Sequence, residues 1–510
     1  MKNKLQEVKP MCEARKMIVC LAAMLSFIAA PALRAQDAEE TGVVWAVVVG
    51  VSRVGGANPT LEILRYADDD AVLFYRLLQD PLGARAARDR VFLHLSSDES
   101  DEVQSEEDLA RCNKQQLKIG SDTVTAYPAT RNCILASLRT IAAQARPGDR
   151  VIVFFSGHGL VSYRLEEEND ETLFLATADL GVLSDLTGYK VAPDTGLKLS
   201  EIIDAFADWY KGKKIPRESP RFLDVWILLD TCHAGAAASE KQLQLLARLD
   251  ERLRSGEEPG RGVIRVSRNQ DANTNAPQEV DTNPSPELVT PKMRFMFVSS
   301  SSAFQSSWED SKRKQGVFTY YLARAIRGAA WEASPYRNLS RPDDQLISAD
   351  LGAYLRLNVN QHTMNLIGEG QLPTALPEFD TIPGFSFTRT ERRFGISVDA
   401  KTPDNARVTV QLRSPDGRRV LTAEAPYLFT LAQIDAQLGA GDTYLLEIRA
   451  PRQRVIQLEV PLSLRAPTSV VVEYPFRGAA SISVKVGDEK LTVEPVPNRN
   501  LFRAIPTTKQ

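Results

Sequence analysis

Apolar positions along this chain fall into two patterns. Between Thr41 and about Ile382, unbroken β-branched and aromatic runs alternate with segments of helical period. That pattern predicts buried parallel strands separated by helices. Val43–Val51 (VVWAVVVGV), Arg90–Leu95, Val151–Phe155, Leu223–Leu229 and Phe295–Val298 read as strands. A helix is expected over Leu64–Gln79, where Leu64, Ala71, Phe74, Leu77 and Leu78 share one face. Others are expected over Thr130–Ala145, opened by Thr130 as a cap, over Leu199–Tyr210 and over Phe318–Arg327. The alternation predicts an α/β fold, a mostly parallel sheet with helices on both faces.

Past about Arg389 the period changes. VTVQLRSPDGRRVLT, TYLLEIRAP, RVIQLEVPL, TSVVVEY and SISVKVGDEKLTVE are short alternating runs separated by turn residues. They predict a separate C-terminal all-β module over 389–510, β-sandwich-like. It contains no His and no Cys and reads as non-catalytic. Two stretches interrupt the α/β pattern over 41–388. Ser97–Asp108 is acidic and reads as a solvated loop. Residues 239–291 end in RNQDANTNAPQEVDTNPSPE, almost devoid of apolar residues, and read as an exposed internal linker.

The first 35 residues stand apart. Lys2, Lys4, Lys9, Arg15 and Lys16 precede the apolar stretch Met17–Ala30, and PALRAQDAEE follows. This is the layout of a signal peptide over 1–35, with an uncleaved membrane anchor as the alternative. The expected location is therefore periplasmic or extracellular. Cys20 lies inside the apolar core, so no lipoprotein site is read. No later segment is apolar enough to span a bilayer. The chain has 510 residues, 43% hydrophobic and 25% charged, with a formal net charge of -3. That balance suits two or three globular domains, and nothing in it argues for nucleic acid or a membrane surface as partner, so no nucleic acid is expected.

Of five cysteines, Cys12 and Cys20 would leave with the leader. The three that remain make an odd count, which in an oxidising compartment suggests one pair and one free thiol. Cys112 and Cys133 are the natural pair, two unpaired buried cysteines being the alternative. Cys232 is then the reactive one.

Candidate chemistry lies in two segments, VIVFFSGHGL and VWILLDTCHAG. Each is a buried strand that stops at small residues and presents one reactive side chain at its C-terminal end, where open α/β sheets place their sites. His158 is the candidate base and Cys232 the candidate nucleophile. Gly157, Gly159 and Gly235 allow close approach of backbone to a substrate. His233 is adjacent to Cys232 and is expected to point away. His94 and His362 are expected to be structural or exposed. No metal site is read.

The residues around this pair resemble the caspase-like cysteine peptidases of family C14, in particular the bacterial metacaspase-like branch. SGHG followed by DTCHAG carries the resemblance, with WAVVVGVSR, LRYADDDAVLF, ATRNCILASLRTIAAQARPGDRVIVFFSGHG, and SSSSAFQSSWED before GVFTYYLARAIRGAA. The resemblance implies a cysteine-type endopeptidase acting on protein or peptide substrates through a His158–Cys232 dyad. The N–H groups of Gly159 and Cys232 would form the oxyanion hole. Asp70, Ser156 and Asp230 would line the S1 pocket, whose two carboxylates favour Arg or Lys at P1. Arg65 nearby could partly neutralise that pocket. The dyad itself requires no cofactor; calcium activation is implied by the family alone, with no calcium ligands matched here. The linker would be the junction between large and small subunits, with Arg261, Arg265 and Arg268 as sites of self-cleavage. A non-catalytic or latent scaffold of the same fold is the alternative reading, and peptide ligation on the same dyad is a third.

Overall fold

Val44–Val51 (β1) is buried at every position, because it is the centre of an eight-stranded sheet and is covered on both faces. The other strands are Val91–Ser96 (β2), Gln115–Ile119 (β3), Asp122–Pro128 (β4), Arg150–Ser156 (β5), Phe222–Asp230 (β6), Lys292–Ser299 (β7) and Thr374–Leu376 (β8). Their spatial order is β8-β7-β6-β5-β1-β2-β4-β3. The pairs from β7 through β6, β5, β1 and β2 to β4 are parallel, and β8 and β3 add antiparallel edges. This computed structural model describes residues 42–507, apart from 55–60, 80–85, 98–110, 164–170, 211–214, 217–221, 233–287, 331–344, 381–385 and scattered shorter stretches. The expected signal peptide, His233, nearly all of the linker and most of the acidic loop lie outside the described residues.

Alternation along β1 divides two apolar layers. Val44, Ala46 and Val48 join Phe74 and Leu77 of Ala67–Gln79 (α1) and Phe318 and Leu322 of Val317–Arg324 (α4). Trp45, Val47, Val49 and Val51 join Ile134, Leu138 and Ile141 of Arg131–Gln144 (α2) and Ile202 of Leu199–Asp204 (α3). Thr130 caps α2 by accepting from the Cys133 N–H. Asp149, in the Pro-Gly-Asp turn before β5, accepts from the Trp45 indole at 3.0 Å and from the N–H groups of Val43 and Arg146. One carboxylate thus fixes β5 beside β1. Cys112 and Cys133 are joined as a disulfide, and Cys232 is the free cysteine among the described residues.

Several elements differ from the sequence reading. The helix from Leu199 stops at Asp204. The helix through Arg327 is α-helical only to Arg324, then widens over Ala325–Ala329, where Gly328 has φ 101°. The 20-residue helix Ser348–Ile367 (α5), the β3–β4 hairpin and strand β8 were not read from the sequence. Among the described residues no helix is long and apolar enough to cross a membrane.

The C-terminal module is one ten-stranded sheet between Gly395 and Pro506, not two stacked sheets. Its edge strands Val420–Glu424 and Tyr427–Thr430 are separated in sequence only by Ala425 and Pro426, so the sheet curls until its edges approach. The result is nearly a barrel, with the helix Leu431–Leu438 (α6) packed on it. A single apolar core runs from the α1 face of the peptide-strand sheet into this module. At that junction Arg324 is fully buried and ion-paired with Asp435 of α6. Tyr354 also donates to Asp435, and Tyr320 donates to Asp442 at 2.8 Å. The Arg327 guanidinium donates to the Leu464 carbonyl at 3.0 Å and lies over the Phe394 ring.

Candidate active site

β5 and β6 are in register along seven residues, ending with Ser156 opposite Asp230. Both strands stop there, so the chain leaves the sheet at two neighbouring points. His158 follows one and Cys232 the other. Gly157 donates to the Asp230 carbonyl at 3.3 Å across this gap. Gly159 sits so close to the second chain that a Cβ on it would lie 2.4 Å from the Cys232 carbonyl oxygen. Only glycine fits there without moving backbone. After Gly159 the chain pairs as Gly159–Tyr163 with Glu171–Leu175, forming a small antiparallel sheet beside the site.

His158 is oriented by backbone. Its Nε2 lies 2.6 Å from the carbonyl oxygen of Glu62. A carbonyl can only accept, so Nε2 is the donor in this bond. The Cys232 thiol is partly buried and makes a 3.8 Å contact to the Ser307 carbonyl. Burial pushes this thiol above its ordinary range, and the charge of Asp230 adds to the effect. Both effects favour the neutral thiol over the thiolate.

A carboxylate pocket lies beside the pair. Asp230, at the end of β6, accepts from Ser307 Oγ at 2.5 Å and from Thr319 Oγ1 at 2.6 Å and N at 3.2 Å. Asp70, in the first turn of α1, accepts from Ser156 Oγ at 3.0 Å and from the Gly316 N–H at 2.9 Å. A Cβ on Gly316 would stand 2.5 Å from one oxygen of Asp230 and 2.7 Å from one of Asp70. The two carboxylates thus converge on one backbone position. Both are buried, and burial raises both carboxyls; Asp230's charge raises Asp70 further. Among the described residues no Lys or Arg side chain pairs with either. Arg65 is exposed, and its described contact with an acid is through its backbone N–H.

The structure therefore brings together His158, Gly159, Cys232, Asp70, Ser156 and Asp230. It holds His94 apart, fully buried between the Pro128 carbonyl at 3.1 Å and Ser137 Oγ at 3.0 Å. His362 is also remote, bonded to Tyr321 and Asp310. Sequence reasoning missed Ser307, Glu309, Gly316, Thr319 and Gln371. Gln371 is buried and binds the Ser300 carbonyl at 3.0 Å, Ser307 Oγ at 3.1 Å and the Trp308 N–H at 3.1 Å. The only signal was the polar run SSSSAFQSSWED, unusual directly after a core strand. Asp70 accepts two N–H or O–H bonds and Asp230 three, which leaves each carboxylate lone pairs to spare. Among the described residues no group of three or more His, Cys, Asp or Glu side chains is placed to hold a metal ion.

A parallel α/β sheet that presents His and Cys from adjacent strand ends defines a cysteine-peptidase-like fold. The chain belongs to the peptidase C14 family, whose caspase-domain model matches residues 43–342. Among solved structures it is similar to a protein of Geobacter sulfurreducens at 12% identity and TM-score 0.33, covering 65% of this chain and 92% of that one. It is also similar to pro-caspase-1 of Spodoptera frugiperda at 13% identity and TM-score 0.30, covering 66% of this chain and 88% of that one. A second caspase-1 structure from Spodoptera frugiperda aligns at 12% identity and TM-score 0.29, covering 66% and 86%. No curated protein matches the chain.

Proposed function

We propose that this chain is an exported cysteine endopeptidase that hydrolyses peptide bonds after Arg or Lys. The observation that carries the specificity is the convergence of Asp70 and Asp230 on Gly316, two buried carboxylates with no cation beside them among the described residues. Two carboxyls converging in one buried pocket are costly to ionise until a cation enters. A P1 guanidinium or ammonium supplies it and is oriented by the same oxygens.

In the proposed reaction His158 Nδ1 takes the proton of Cys232 Sγ, with the ring held by the Nε2–H bond to Glu62. The thiolate attacks the scissile carbonyl, and the N–H groups of Gly159 and Cys232 receive the oxyanion. The intermediate collapses as His158 returns the proton to the leaving amine. A water, deprotonated by His158, attacks the thioester, and collapse releases the acid and restores the thiol. Arg-, Lys- and Asp-terminated fluorogenic peptides test this on the mature chain. Turnover confined to the basic peptides and abolished by Cys232→Ala is expected; turnover that persists in Cys232→Ala refutes it. The buried, neutral thiol favours one alternative, a latent form of the same fold. Slow labelling of Cys232 by an electrophilic probe, unchanged by substrate-like peptides, would select it.

A further inference from the structure

We infer that Glu309 is a positioning residue for His158, acting through the backbone of residues 62–66. This rests on the peptidase reading for its kinetic consequence only. The carbonyl that holds His158 belongs to Glu62, in a segment without regular structure between the described residue Leu61 and the start of α1. Such a segment carries no ladder of its own, so its carbonyl stays in place only if other groups fix it. Two attachments do so. The Leu64 N–H donates to the Ser52 carbonyl at 3.0 Å, just past the end of β1. The N–H groups of Tyr66 and Arg65 donate to Glu309 Oε1 and Oε2 at 3.0 and 3.4 Å.

Glu309 is rigidly placed. It lies in the short hairpin that pairs Glu309–Asp310 with Gln315–Gly316, with Glu309 opposite Gly316. The same hairpin carries Gly316 to Asp70. One side of it therefore contacts the carboxylate pocket and the other clamps the segment that orients the base. A carboxylate matches two successive N–H donors with two oxygens, a task no neutral short side chain performs. Burial displaces its carboxyl upward, and the two N–H bonds counter that displacement only in part. The link crosses 243 residues and joins the His158 half of the domain to the part after the linker.

The chain has four histidines, so selective 15N-histidine labelling resolves the ring states. The His158 signals are assigned by their loss in His158→Ala. In the wild type they are expected to show a single Nε2–H tautomer. Glu309→Ala should convert them to averaged tautomer shifts while near-UV circular dichroism is unchanged. It should also lower kcat by about tenfold to hundredfold with KM nearly constant. Glu309→Gln, which keeps a carbonyl for Tyr66, should retain most of the tautomer preference. Should the alanine variant fail to fold, Glu309→Asp, whose carboxylate is withdrawn from both N–H groups, must give the averaged shifts. A wild-type Nε2–H signature in the folded Glu309→Ala or Glu309→Asp chain overturns the inference. The tautomer readout does not depend on turnover, so a chain without peptidase activity still decides it.

Discussion

Ser156 and Asp230 are register partners at the ends of two parallel strands, and each also bonds into the carboxylate pocket. The register that aligns the strands therefore aligns the pocket with the two reactive residues that follow, His158 and Cys232. A one-residue slip of β6 would send Asp230 to the opposite face.

Asp70→Asn should separate activity from stability. Its folded pKa is raised, so the proton is bound more tightly in the folded state. Stability from this group is present at acid pH and is lost as pH rises above the ordinary carboxyl value of 3.8. At neutral pH the asparagine variant is expected to melt higher than wild type. Its kcat/KM for Arg peptides should fall by roughly 30-fold or more, the loss of one buried charge partner. A variant that melts lower at pH 7 and cleaves Arg peptides normally contradicts both expectations.

Cys232 should alkylate as a thiol and not as a preformed ion pair. Because its pKa is raised above 9.0, iodoacetamide reaction should climb with pH through neutrality and beyond, without a plateau near pH 6. Asp230→Asn removes one negative charge and should move the curve toward lower pH. A flat profile from pH 6 to 8 would show a thiolate already formed.

Gly316→Ala should disable the pocket. The added carbon cannot sit 2.5 and 2.7 Å from two carboxylate oxygens that Ser307, Thr319 and Ser156 hold in place. Turnover of Arg peptides is expected to be lost while Cys232 still labels; undiminished turnover would mean that P1 binds elsewhere.

Asp435→Ala should destabilise the whole chain. It leaves Arg324 charged, unpaired from its carboxylate and fully buried, at a cost of about 3–5 kcal/mol. Because one apolar core spans both regions, urea unfolding should lose midpoint in a single transition. Two resolved transitions with an unshifted α/β midpoint would show that the modules are uncoupled.

His94 should make the fold acid-sensitive. Burial lowers its pKa to about 4, so the folded state keeps it neutral. Stability is full above the ordinary value of 6.5 and falls as pH drops through 6.5 toward 4, by about 3 kcal/mol. Urea titrations of wild type and His94→Asn at pH 7.5 and 4.5 measure the difference. An equal pH dependence in the two proteins would remove His94 as the cause.

The inner strands of the α/β sheet were legible because they are covered on both faces, which forces continuous apolar runs such as VWAVVVGV, whereas the half-exposed β3 and β8 carry no such run. Strand ends were legible for the same reason, since SGHG and DTCHAG break those runs abruptly. α5 was not, because its apolar residues face two partners and several, including Leu357 and Met364, are exposed, which blurs its period. The β module was read as strands but not as one curled sheet, since alternation reports faces and not which strands are neighbours.

Local patterning by itself determined the α/β order, the cap at Thr130 and the two residue types, His and Cys, at strand ends. Those depend on neighbours in sequence, where period and turn chemistry act. Tertiary structure alone decided that Glu62 holds His158, that Glu309 holds the segment bearing Glu62, and that Gly316 stands between Asp70 and Asp230. Each of these is a contact between backbone and a distant chain segment, and backbone groups are the same in every residue. No side-chain pattern records which carbonyl or N–H will be reached, so only packing of the folded chain selects it.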